Sequence, residues 1–144
     1  MAHFAELDKN NIVISVQRAC NIDIANNGGE LSEQAAQHFS TITPLSKEGI
    51  KYVQTSYNNN FRKKYAAIGD YYDPIKDKFI GRQPYSTWIL DNNDDWQPPI
   101  AIPTLEYQNN PVYELNWNNS LLRWEGKDYN KNSIIWDPNT SSWS

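Results

Sequence analysis

Apolar and polar positions alternate from the start of the chain. His3 to Leu7 and Ile12 to Val16 flank the polar tetrad Asp8-Lys9-Asn10-Asn11, which is the pattern of two strands joined by a turn. A period of two predicts Ile12, Ile14 and Val16 on one buried face, with Val13 and Ser15 on the other. Asn26-Asn27-Gly28-Gly29 reads as a loop, and the period then changes to that of a helix. Ala35, Ala36, Phe39 and Ile42 form one stripe over Ser32 to Thr41, with Ser32 as N-cap, Glu33 in the first turn and Pro44 as the stop. It is the one helix the pattern predicts. Ile50 to Tyr57 reads as a strand, and Tyr57 to Phe61 as a polar interruption before the run Lys64 to Tyr72.

The second half carries a different signal, aromatic residues seven positions apart. Tyr72 and Phe79 bracket DPIKDK, Trp117 and Trp124 bracket NNSLLR, and Trp136 and Trp143 bracket DPNTSS. In a hairpin with a two- or four-residue loop, positions i and i+7 lie opposite each other, so each pair predicts a cross-strand ring contact. Trp88 and Trp96 follow the same form with one extra residue, around the tip Asp91 to Asp95. Pro98, Pro99 and Pro103 then remove ladder donors, predicting an extended strap that carries Ile100 and Ile102. The spacing is too irregular for a solenoid or propeller. The pattern as a whole predicts a β-rich α+β chain of antiparallel hairpins, with one short helix and an aromatic-rich C-terminal hairpin region. Residues 1–82 would form the hairpin, helix and sheet region and 83–144 the Trp/Pro-rich hairpins, as two regions or one continuous domain. The expected core mixes Ile12, Ile14, Phe39, Val53, Ile68, Phe79 and Trp88.

Composition explains how so polar a chain could fold. Mean hydropathy is -0.76, but six Trp, nine Tyr and four Phe stand among 144 residues, and each ring can bury roughly 150–250 Å². A formal net charge of -4 argues against membrane residence and against nucleic-acid binding driven by overall charge. Cys20 stands alone, so no intrachain disulfide can form, and a buried, unreactive thiol is expected. The start MAHFAELDKN has neither a basic n-region nor an apolar h-region and reads as the mature start of a cytosolically made protein.

Chemistry is sparse. His38 could be paired with Cys20 as a thiol catalyst only with an orienting group and an oxyanion site that no motif marks. Asp91, Asn93 and Asp95 imitate the start of an EF-hand loop, but Trp96 replaces its glycine and Ile102 its final glutamate. Asp94 and Asp95 share a hairpin tip, whereas paired carboxylates for glycoside hydrolysis face each other across a cleft. There is no Gly-rich phosphate loop and no Cys/His zinc spacing. No catalytic residue, metal ligand or cofactor is expected.

Two features suggest binding. Arg62, Lys63 and Lys64 lie among Tyr57, Phe61 and Tyr65, a basic and aromatic patch that suits an acidic protein partner better than nucleic acid in a chain of this charge. With Ile100 and Ile102 of the strap, these residues form the candidate interface, since aromatics and Arg are enriched at interface centres. The Trp hairpins could instead offer flat rings to a sugar, but in a core this poor in aliphatics the rings are needed inside.

The blocks MAHFAELDKNNIV, NNGGELS, QTSYNNNFRKKYAAIG with YDP after it, QPYSTWILDNNDDWQPPIAIP and the tail IIWDPNTSSW together resemble a family of small proteins from tailed phages of marine cyanobacteria and related marine bacteria. The resemblance spans nearly the whole chain; Leu105 to Asn132 departs from it, being longer and richer in Asn. It implies a virion structural protein without catalytic residues, a capsid-surface decoration or other particle accessory. Its partners would be other virion proteins or further copies of itself, with neither nucleic acid nor membrane involved. The alternative is a tail-associated adhesion or carbohydrate-binding module.

Overall fold

Strand β1 (Ala2–Leu7) is buried along its whole length because both of its faces are covered. In the computed structural model, which describes all 144 residues, it is the central strand of a three-stranded antiparallel sheet, between β2 (Val13–Ala19) and β3 (Lys51–Thr55). Between β2 and β3 the chain forms two helices, α1 (Asn21–Ala25) and α2 (Glu33–Ile42). Alternation divides β1 between two cores. Ala2 and Phe4 face Ile24, Ala35, Ala36 and Phe39 of the helices and Tyr52 of β3. Phe4 stacks on Phe39 at 4.7 Å, and Tyr52 meets Phe39 edge-on at 4.8 Å. Ala5 and Leu7 face Val13, Val53, Ala66 and the hairpin of β4 (Tyr71–Asp73) and β5 (Lys78–Ile80).

These elements make up one compact unit, Met1–Arg82; Gln83–Ser144 forms a second. The second contains the two-stranded pairs β6 (Ile89–Leu90) with β7 (Trp96–Gln97) and β8 (Glu106–Tyr107) with β9 (Asn110–Pro111). Its main sheet is the antiparallel meander β10 (Glu114–Asn118), β11 (Arg123–Lys127), β12 (Ser133–Asp137) and β13 (Ser142–Trp143). One face of the meander carries Trp117, Trp124, Ile134, Trp136 and Trp143, all buried in one cluster. The chain is thus β-rich α+β, with thirteen strands and two helices. No helix is long and apolar enough to cross a membrane.

Several sequence expectations need correction. There are two helices, because Asn21–Ala25 is a single turn too short to show a period, anchored by Ile24. Cys20 precedes it and is exposed. The inward residue of β2 is Val13, fully buried, while Ile12 and Ile14 are half-buried. Glu6 pairs with Ser15 and Leu7 with Val13, so Ile14 is the extra residue of a β-bulge and shifts the alternation by one. Lys64 to Asp70 is irregular, and its buried residues are Ala66 and Asp70. Ile68 is 67 % exposed because Ala67 to Asp70 is a turn, with Asp70 N–H donating to Ala67 O and Gly69 at φ +94° as a type II turn requires. Ile42, at the last position of α2, is also exposed.

Candidate functional site

The basic and aromatic loop leaves β3 at Ser56, whose side chain and carbonyl fix its course. Ser56 Oγ accepts from Asn60 N–H and Ser56 O from Asn59 N–H. Asn59, Arg62 and Lys63 have positive φ, so the backbone doubles back tightly. Asn59 Oδ1 then receives Tyr65 N–H, and Thr55 Oγ1 receives Ala66 N–H, which ties the far end of the loop to β3.

Within this loop the structure separates residues that the sequence grouped. Tyr57 is mostly exposed and stacks on His3 at 5.7 Å, while Tyr65 meets both His3 and Tyr57 edge-on at 5.4 and 5.3 Å. Phe61 and Lys63 are half-buried. Lys64 pairs with the buried carboxylate of Asp70 at 2.6 Å. Arg62, expected at an interface, is taken up by its own unit, with 13 % of its side chain exposed. Its Nη1 donates to Gln54 O, its Nε to Asp77 Oδ1, and its guanidinium lies over the Tyr72 ring at 5.8 Å. A cation with two hydrogen-bond acceptors and a ring is a brace, since a partner would have to break these contacts to use it.

The same network sets the titration of its members. Burial and then the hydrogen bond to Asp77 push the Tyr72 phenol up to about 12. Burial alone would raise Asp77, but hydrogen bonds from Tyr72 and Arg62 hold its carboxyl below the ordinary carboxylate range. Glu6 behaves alike: burial opposes ionisation, yet Ser46 N–H, Ser46 Oγ and Ser15 Oγ all donate to it and keep it low. A carboxylate so fully bonded is held as an anion and makes a poor base. His3, which no motif singled out, is buried between the two tyrosines with no partner for Nδ1. Burial, then the positive charges of the amino terminus and Arg18, lower its pKa.

In the second unit the rings serve packing. Trp117 and Trp124 are direct cross-strand partners at 5.1 Å, and so are Trp136 and Trp143 at 5.4 Å; in the first unit Tyr72 and Phe79 match them at 5.2 Å. Trp88 and Trp96 do not form such a pair. Leu90 opposes Trp96, and Trp88 contacts Trp124 at 6.1 Å and Tyr85 at 5.6 Å, because the longer tip shifts the register. Asp91 Oδ1 closes that tip by accepting from Asn93 and Asp95 N–H, and no group of three or more His, Cys, Asp or Glu is placed to hold a metal ion.

The proline strap lies on its own sheet. Trp124 Nε1 donates to Ile100 O and Trp143 Nε1 to Thr104 O, each at 2.8 Å. Buried indole N–H groups need acceptors, and a strap poor in backbone donors has spare carbonyls to offer. Ile100, expected to face a neighbour, therefore packs against the Trp cluster, whereas Ile102 is exposed. Compared with protein families, curated proteins and solved structures, the chain matches none.

Proposed function

We propose that this protein is a non-enzymatic structural component of a phage particle, a decoration protein of the capsid surface or a similar accessory. The resemblance of the ordered sequence blocks to small phage proteins is what suggests the setting. The observation that carries the assembly role is Ile75, 94 % exposed at the tip of the β4–β5 hairpin. That tip is rigid: Asp73 Oδ1 accepts from both Ile75 and Lys76 N–H, and the Tyr72–Phe79 pair clamps its base. A large aliphatic side chain shown in full on a pre-ordered tip suits docking, because little ordering entropy remains to be lost on contact. Tyr57 and Ile102 add exposed apolar surface in their own units.

The test is complementation of a phage lacking the gene with the Ile75→Asp protein. The isolated variant should melt like the wild type, since the residue packs against nothing, and should be depleted from purified particles. Normal incorporation of Ile75→Asp would remove the docking role of the tip. Particles in which the wild-type chain is absent would overturn the assignment itself.

A further inference from the structure

A cavity of about 390 Å³ lies beside the loop that follows β3, and we propose that it binds a single neutral sugar ring. Its floor includes Gln54, only 5 % exposed. Leu31 N–H donates to Gln54 Oε1 at 2.7 Å, which anchors the amide. Gln54 is among the residues that line the cavity, so its anchored amide adds hydrogen-bonding capacity there. Ser56, Asn58 and Asn60 add neutral polar groups along one wall, and Tyr57 and Phe61 bring rings to it.

Charge and polarity select the ligand class. The lining holds one carboxylate, Glu30, and Met1 with its amino-terminal ammonium, and no lysine, arginine or histidine, so the two charges offset and a phosphate or nucleotide would find no surplus of positive charge. A metal cation would find a single carboxylate where it needs several oxygens. A wholly apolar molecule would leave the polar lining of Gln54, Ser56, Asn58 and Asn60 without partners. A pyranose satisfies both kinds of wall: its hydroxyls accept from and donate to amides, and its C–H face lies on an aromatic ring. The site is pre-formed, since Tyr57 stacks on His3 and Ser56 holds Asn60. The reading is independent of the particle role, so failure of one leaves the other standing.

Heteronuclear NMR of the isotope-labelled full chain tests it, with the methyl glycosides of glucose, galactose, mannose and N-acetylglucosamine as probes and inorganic phosphate as the anionic control. At least one glycoside should produce saturable shifts at the Gln54 side-chain amide and the Phe61 ring, and phosphate should produce none there. Asn58→Ala, at an exposed position, and Phe61→Ala should each weaken that binding by about tenfold; if Phe61→Ala does not fold, Asn58→Ala carries the comparison. Absence of shifts at Gln54 with all four glycosides overturns the proposal. So do equal shifts with phosphate, or affinity unchanged in the variants that fold.

Discussion

Tyr72 donates its phenolic hydrogen to Oδ1 of Asp77 across the β4–β5 turn, and the same oxygen accepts from Arg62 Nε. One carboxylate oxygen thereby joins a hairpin to the loop that leaves β3. The raised Tyr72 value means that the folded chain holds this proton more tightly than the unfolded chain does. Its contribution is full below the ordinary value of 10.0 and is lost as pH rises from there towards about 12. Tyr72→Phe should cost about 1 kcal/mol at neutral pH and flatten the alkaline loss of stability, as read from urea midpoints at stepped pH. An alkaline slope equal to that of the wild type would mean the bond contributes nothing.

In acid, two buried groups act in the same direction at different pH. His3 is held below 6.5, so stability should begin to fall as pH drops through that region. Glu6 is held below 4.5; its contribution is complete above that value and is lost as pH falls through its lower folded value. Melting temperature against pH should therefore decline in two stages. His3→Phe should abolish the upper stage alone, and Glu6→Gln should reduce the lower one, to which Asp77 also contributes, while costing about 1–3 kcal/mol at neutral pH. A single stage untouched by His3→Phe would contradict the assignment.

The Trp117–Trp124 contact should be energetic as well as geometric. A double-mutant cycle with Leu at each position is expected to give a coupling of about 0.5–1.5 kcal/mol. Additive losses would mean that each ring packs on the cluster independently of the other.

Gly126 occupies the Trp face of β11, where a Cβ would come 2.5 Å from Glu114 O and 3.5 Å from the Trp143 ring. Gly126→Ala should force the meander apart locally and cost about 1–3 kcal/mol, as overpacked cores do. Chemical denaturation of the variant measures this, and wild-type stability would mean that β10 yields freely.

The sequence by itself determined the local structure of this protein. Ser32 caps α2 by accepting Ala35 N–H, and the hydroxyl and amide involved are three residues apart. The seven-residue spacing of Trp117 and Trp124 suffices to set them opposite each other, because a short turn leaves the two strands one register. Tertiary structure alone decided which of several compatible faces and partners prevailed. The bulge at Ile14 turned Val13 inward against a neighbouring strand and hairpin, against the run of larger side chains in β2. Arg62 is a brace because folding sets Asp77, fifteen residues away, and Gln54 O within its reach. Trp88 went to Trp124, the strap's carbonyls went to indole N–H groups, and Leu31 fixed the Gln54 amide from 23 residues away. Periodicity encodes which residues share a face; the satisfaction of buried donors and acceptors depends on what else folding brings to that face.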